Sequence, residues 1–232
     1  MPTFEEIYRS HAQTYDQLVS REDHQGNILP TLRRICPLEG MSVLELGAGT
    51  GRLSKLLAPL TQRLIISDLS PAMLQVAVSA LGGQTQTQNP TAALIANNDA
   101  LPLCDQAVEV VLAGWSLGHT IGWYPDSWPE RIRRTLEQMR RVTRPGGMLI
   151  IIETLGTGFE VPTPPPILIP YYDLLKEMGF SQTWCRTDYR FETLSEAETL
   201  TRFFFGDSLA TEVVQKSWLI LPECTGFWWK RV

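Results

Sequence analysis

The stretch Val43-Leu44-Glu45-Leu46-Gly47-Ala48-Gly49-Thr50-Gly51-Arg52 decides the fold of this 232-residue chain. Its first half belongs to a short apolar run, Ser42 to Leu46, that carries one acid. Its second half holds three glycines at alternate positions. Helical spacing follows from Thr50 to Leu60, so the order reads buried strand, glycine turn, helix. Glycines at such a point let the backbone turn sharply and let a ligand approach closely. The helix start beyond them offers unpaired N–H groups and the positive end of a dipole.

The same alternation extends outward. Arg63 to Ser67 and Val108 to Ala113 are further buried strands, Ala93 to Ala96 is a weaker one, and Met148 to Glu153 follows a Pro145-Gly146-Gly147 turn. Ser70-Pro71 opens a helix to about Leu81, with serine as N-cap and proline at the first helical position. Gly82 to Thr91 reads as a loop, and Trp128 to Val142 as an amphipathic helix. Strands apolar on both faces that alternate with helices predict a parallel sheet covered on both sides. Phe4 to Ile35 is helical with a polar interruption at Arg21 to Gly26. Five prolines between Pro162 and Pro170 exclude regular structure there. A helix is expected over Ile169 to Met178 and a β-like segment over Phe180 to Phe191. Ser195 with Glu198 has the form of a capping box for a helix to about Gln215, broken near Gly206. Cys224 to Val232 is a last β-like segment.

Two cofactors compete for the glycine turn. A dinucleotide frame, G-x-G-x-x-G, fits Gly47 and Gly49 but puts Arg52 where close helix–strand contact needs a glycine or alanine. The frame E-x-G-x-G-x-G is filled completely by Glu45, Gly47, Gly49 and Gly51. An acid just before the turn repels a pyrophosphate and suits a cationic amino-acid group. This frame resembles the first motif of class I S-adenosylmethionine-dependent methyltransferases.

The resemblance covers residues 42–153 in motif order and spacing, and is nearest to the small-molecule branch with the type 11 domain. It implies a Rossmann-like, doubly wound α/β sheet of seven strands, mostly parallel with the last antiparallel and with helices on both faces. It implies residues 1–40 as a helical cap and 41–232 as the methyltransferase domain, with a helical insertion at about 193–217. It also implies S-adenosylmethionine as cofactor. Glu45 would lie close to its methionine part, Gly47, Ala48, Gly49 and Gly51 would be cofactor contacts of the turn, and Asp68 at the end of the second strand would take its ribose hydroxyls. Leu69 and Met73 would lie against the adenine, with Asp99 at its exocyclic amine and Ala100 near the ring. Tyr15, in a Tyr15-Asp16 pair ahead of the core, and Trp115 and Ser116 after the fourth strand complete the expected cofactor contacts.

Methyl transfer is a direct displacement, so alignment of the reacting groups is the main demand. A base is needed only when the nucleophile has a proton to lose. His119, just past the fourth strand, is the candidate, since an ordinary histidine titrates near neutrality. The aromatic residues Tyr171, Tyr172, Trp184, Tyr189 and Phe203 to Phe205 are candidates for pocket lining or for core. The Asn-Pro-Pro-Tyr signature of base-methylating enzymes is absent at Trp115-Ser116-Leu117-Gly118.

Bulk properties agree with a small-molecule acceptor. The formal net charge of −5 disfavours a nucleic-acid partner. The arginines between Arg131 and Arg144 read as a solvated helix face. No histidine or cysteine pair has metal-ligand spacing, and the four cysteines read as buried thiols of a reducing compartment. With no leader-like start and no run long enough to cross a bilayer, a cytoplasmic monomer or homodimer is expected.

Overall fold

The computed structural model of the chain describes residues 3–82 and 91–232. Three short helices come first: α1 (Phe4–Ser10), α2 (Ala12–Val19) and α3 (Ile28–Ile35). Strand β1 (Ser42–Leu46) runs through the glycine turn into α4 (Arg52–Leu57), and β2 (Arg63–Asp68) into α5 (Pro71–Gly82). Strands β3 (Thr91–Ile95) and β4 (Val108–Gly114), helices α6 (His119–Trp123) and α7 (Trp128–Val142), and β5 (Thr143–Thr157) complete the alternating part. Then come α8 (Ile169–Glu177), β6 (Ser181–Arg186), β7 (Tyr189–Arg190), α9 (Leu194–Phe205), α10 (Asp207–Gln215), β8 (Ile220–Leu221) and β9 (Glu223–Arg231).

Seven strands form one sheet in the order β3-β2-β1-β4-β5-β9-β6. Neighbours from β3 to β5 pair in parallel, and β9 is antiparallel to both β5 and β6. This is the doubly wound sheet that the sequence predicts. The strand order reverses between β1 and β4, and ligands of such sheets sit in the crevice beyond the strand ends at that point. Strands β7 and β8 pair separately, which the sequence did not foretell.

Alternate residues of each central strand feed opposite cores. Leu44, Leu46, Val111, Ala113, Leu149 and Ile151 pack with Ile132 and Leu136 of α7 and Tyr171 of α8. Val43, Leu64, Ile66, Val110, Leu112 and Ile150 pack with Leu32 of α3, Leu53 of α4 and Leu74 of α5. A third cluster joins Leu18 of α2 to Tyr189, Leu200 and Val213 near the C-terminal helices.

Several expectations shift. Gly51 stands at the N-cap of α4 with φ +86°, a conformation outside the helix, so α4 starts at Arg52 rather than Thr50. The cap of α9 is Thr193, whose extended backbone lets its side chain accept from the Glu196 N–H at 3.1 Å. The Ser195–Glu198 pair lies two residues further on, already inside the helix. The expected break comes at Gly206, φ +90°, between α9 and α10. The third strand starts earlier than expected, at Thr91, and most of it is exposed. Cys104 is exposed, unlike the buried Cys36 and Cys224. The stretch expected to be a loop between α5 and β3 falls largely on 83–90, outside the described residues.

Trp228 shows how firmly β9 is held. It is 1% exposed and stacks on Tyr172 with ring centroids 4.5 Å apart. Trp228→Ala is expected to destabilise the fold by about 3–5 kcal/mol, measured by urea unfolding. A loss below about 1 kcal/mol would show that the site collapses without a cavity.

Candidate functional site

The glycine turn is shaped by what lies against it. Gly47 has φ +62°, and a Cβ there would stand 2.3 Å from Ser116 Cβ. The loop after β4 therefore rests directly on the turn, and no side chain fits between them. Gly49, φ +57°, has open space on its Cβ side apart from the Tyr15 ring at 3.8 Å. A Cβ at Gly51 would press on Ala77 at 3.1 Å, so this glycine serves the α4–α5 contact. Asp68 ties the turn to β2: one carboxylate oxygen accepts from Gly49 N–H at 2.8 Å and the other from Ser70 N–H at 2.8 Å.

A cavity of about 140 Å³ opens over this turn. Gly47, Gly49, Asp68 and Leu69 line one side, Asn97, Asn98 and Asp99 another, and Trp115, Ser116 and His119 a third. Asp99 pairs with Arg131 at 3.3 Å, and the Arg131 guanidinium lies 3.7 Å from the centre of the Tyr124 ring. Arg131 thus belongs to the cavity wall rather than to a solvated face. Arg141 instead holds the loop after β3 through the Leu101 and Leu103 carbonyls, at 2.9 and 2.7 Å.

The other expected cofactor residues do not line the cavity. Glu45 is 2% exposed and accepts from the Ser54 hydroxyl at 2.6 Å, under the turn. Ala48 and Met73 are buried, while Ala100 is exposed. Tyr15 is behind Tyr8, ring centroids 5.6 Å apart, and it is Tyr8 that reaches the cavity.

His119 stands at the boundary with a second chamber of about 430 Å³. Its Nε2 is 2.7 Å from the Tyr8 hydroxyl, and its ring stacks on Trp123. Trp115, His119 and Trp123 border both spaces. Trp115 follows β4 in a left-handed backbone conformation, φ +48°, and its ring carries the Arg52 guanidinium at 3.4 Å. Arg52 in turn pairs with Glu22, a residue the sequence left in a polar interruption but which is 8% exposed. Tyr189, Phe204 and Phe205 line the chamber as the sequence allowed. Tyr171 and Tyr172 are core, and Trp184 is exposed on β6. Glu153 and Glu223 also line the chamber and were not anticipated. Glu153, like Glu45, is a lone acid in an apolar run, which was a signal available in the sequence. Among the described residues no helix is long and apolar enough to cross a membrane, and no acid, histidine or cysteine group is arranged for a metal.

Comparison with known proteins places this geometry. A family profile described as a methyltransferase domain matches residues 44–151. A demethylmenaquinone methyltransferase of Clavibacter sepedonicus is 28% identical over 171 residues, covering 74% of this chain and 62% of that protein. A malonyl-[acyl-carrier protein] O-methyltransferase of Buchnera aphidicola is 28% identical over 153 residues, covering 66% and 54%. The chain thus spans little more than half the length of these curated relatives. A crystal structure of an S-adenosylmethionine-dependent methyltransferase from Aquifex aeolicus superposes with a TM-score of 0.58 at 16% identity, covering 95% of this chain and 97% of that one.

The site holds acids in unusual states. Burial pushes Glu45 and Glu153 up to about 8 and Glu223 up to about 7, against hydrogen bonds from Ser54, from the Gly118 and Leu117 backbone, and from Thr154 and Thr157 respectively. Burial pulls His119 down to about 4, partly opposed by a hydrogen bond to the Trp115 backbone. Each carboxyl keeps its proton in the folded chain at pH values where the unfolded chain has released it. That stability is complete below the ordinary value of 4.5 and is lost as pH rises through the folded values. The histidine runs the other way, but its slope ends near its ordinary 6.5. The melting temperature of the ligand-free protein is therefore expected to fall between about pH 6.5 and 8.5, less steeply in Glu153→Gln. A flat or rising curve in scanning calorimetry would mean that these acids are ionised in the fold.

Proposed function

We infer the activity from one premise: this chain belongs to the class I S-adenosylmethionine-dependent methyltransferases, and S-adenosylmethionine is its cofactor. We propose that it is an active enzyme that transfers the methyl group to a small-molecule acceptor, with residues 1–40 as a cap over the site. The observation that carries this reading is the pair of adjoining spaces, one of mixed polarity over the glycine turn and one largely apolar, divided by Trp115, His119 and Trp123.

The first space fits the cofactor. Gly47 and Gly49 leave backbone free for close approach, and Asp68 presents a carboxylate whose oxygens are oriented by two backbone N–H groups. We assign Asp68 to the ribose hydroxyls and Asp99, held by Arg131, to the adenine end with Asn98 beside it. Glu45 acts through Ser54 and the turn, setting the field beneath the methionine part rather than touching it. Bound there, the cofactor supplies a methyl carbon made electrophilic by its sulfonium.

The chain's contribution is alignment. The acceptor's nucleophilic atom must meet the methyl carbon in line with the carbon–sulfur bond, whose electrons return to sulfur. The dividing wall sets that line, because its residues border both spaces. His119 is uncharged at neutral pH, and its Nε2 is shared with the Tyr8 hydroxyl, so the Tyr8–His119 pair is the route by which a proton would leave the acceptor. The relatives' quinone and acyl-carrier acceptors share an extended body delivered to one reacting atom. That fits a chamber bounded by side chains from α1, α6, α9 and the segment ahead of α8.

Asp68→Ala is expected to weaken S-adenosylhomocysteine binding by more than about 1.4 kcal/mol, a factor of ten, in calorimetry. Unchanged affinity in the folded variant would refute the assignment. Against a broad acceptor panel read by released S-adenosylhomocysteine, turnover is expected from the wild type, and His119→Gln should lower kcat by about 10²-fold with cofactor affinity kept. Cofactor binding without turnover on any acceptor would make the chain a binding protein of this fold.

A further inference from the structure

The second chamber has one polar atom that the protein leaves unmatched. Glu223, at the start of β9, is 2% exposed. Its Oε1 accepts from the Thr154 hydroxyl at 2.6 Å; the Thr157 hydroxyl is also near the carboxyl, but Oε2 has no partner of hydrogen-bond geometry among the described residues. Glu223 lines the chamber, so this oxygen is left for whatever fills it. A buried acceptor atom without a partner is costly, and such atoms are rare in folded proteins.

The surroundings narrow the occupant. Phe4, Ile121, Ile167, Leu168, Phe204 and Phe205 supply apolar walls. Arg52 is the one cation among the described lining residues, and its charge is already matched by Glu22 and its face by Trp115. Two further carboxyls, Glu153 and Glu223, remain. With no unmatched cation on the wall, an acceptor's carboxylate would be buried without compensation, whereas a neutral acceptor is tolerated and an ammonium draws a carboxyl into its charged form.

Building on the methyltransferase reading, we propose that this chamber holds the methyl acceptor, that the acceptor is an apolar, non-acidic small molecule presenting a hydrogen-bond donor, and that Glu223 Oε2 is the anchor receiving that donor. The donor is a hydroxyl or a protonated amine, and both place a proton on the same oxygen. Glu223 touches the acceptor and fixes its orientation toward the dividing wall.

Four naphthalene probes test this by calorimetry on the full chain saturated with S-adenosylhomocysteine: 2-naphthol, 2-naphthylmethylammonium, 2-methoxynaphthalene and 2-naphthoate. At least one of the two donors should bind about tenfold tighter than both the methoxy compound and the acid. Glu223→Leu should abolish that preference while leaving the methoxy compound's affinity unchanged. Glu223→Gln should keep a preference for the hydroxyl but lose one for the ammonium, which tells the two donors apart. Equal binding of all four probes, tighter binding of the acid, or a preference that survives in Glu223→Leu would overturn the proposal. If a variant does not fold, the wild-type series decides alone. If S-adenosylhomocysteine itself does not bind, the methyltransferase reading fails first and separately.

Discussion

The contact of the post-β4 loop with the glycine turn is the constraint on which the site depends. With 2.3 Å between the place a Gly47 Cβ would take and Ser116, the loop can rest there only on a bare backbone. Beside that seat Trp115 takes its left-handed conformation, and a 2.7 Å hydrogen bond from its N–H to the Ile152 carbonyl of the neighbouring β5 holds it there. The indole so placed is the platform for Arg52, and Arg52 holds Glu22 of the N-terminal region. One missing methyl group is thus the first link of a chain that ends at the wall of the second chamber.

Charge is then distributed in a way that separates the two spaces. Over the turn, Asp68 is met by backbone N–H groups and Asp99 by Arg131. In the chamber, Glu153 is met by backbone N–H and Glu223 by the Thr154 hydroxyl, with no cation free to pair with either among the described lining residues. Removing water from an acid favours its neutral form unless a cation compensates. Glu153 and Glu223 are therefore proton holders. The Arg52–Glu22 pair is the exception. Breaking such a buried pair by removing one partner typically costs about 3–5 kcal/mol, because a charge is left unmatched. Its place between the N-terminal helices and α4 makes it a tie between them.

Legibility in the sequence followed the range of the interaction. β1, β2, β4 and β5 announce themselves as apolar runs because both of their faces are buried. β3, mostly exposed at the sheet edge, carries little of that signal. The glycines and Asp68 were readable because turn chemistry is local and the spacing is fixed by strand and helix geometry. The Tyr8–His119 and Arg52–Glu22 partnerships join residues 111 and 30 positions apart, and nothing in either neighbourhood marks them. Glu22 looked like a loop residue because a polar run gives no sign of which member turns inward. The cap of α9 was misplaced by two residues because Thr193–Glu196 and Ser195–Glu198 have the same form, and only backbone dihedrals choose between them.

The place of β9 has a consequence for how the molecule is made. This strand lies between β5 and β6, yet it is synthesised after both. A nascent chain emerging N-terminus first can build the parallel half of the sheet early, since each of those strands finds its neighbour among residues already made. Until the residues from Glu223 onward emerge, β5 has an open edge and β6 has no partner, and a bare strand edge is a template for pairing with other chains. Glu223 of the second chamber's wall arrives with the same strand. The glycine turn and the cavity above it can therefore form on the growing polypeptide while the chamber is still unfinished, which makes the late insertion of one strand the step that protects the sheet and completes the pocket together.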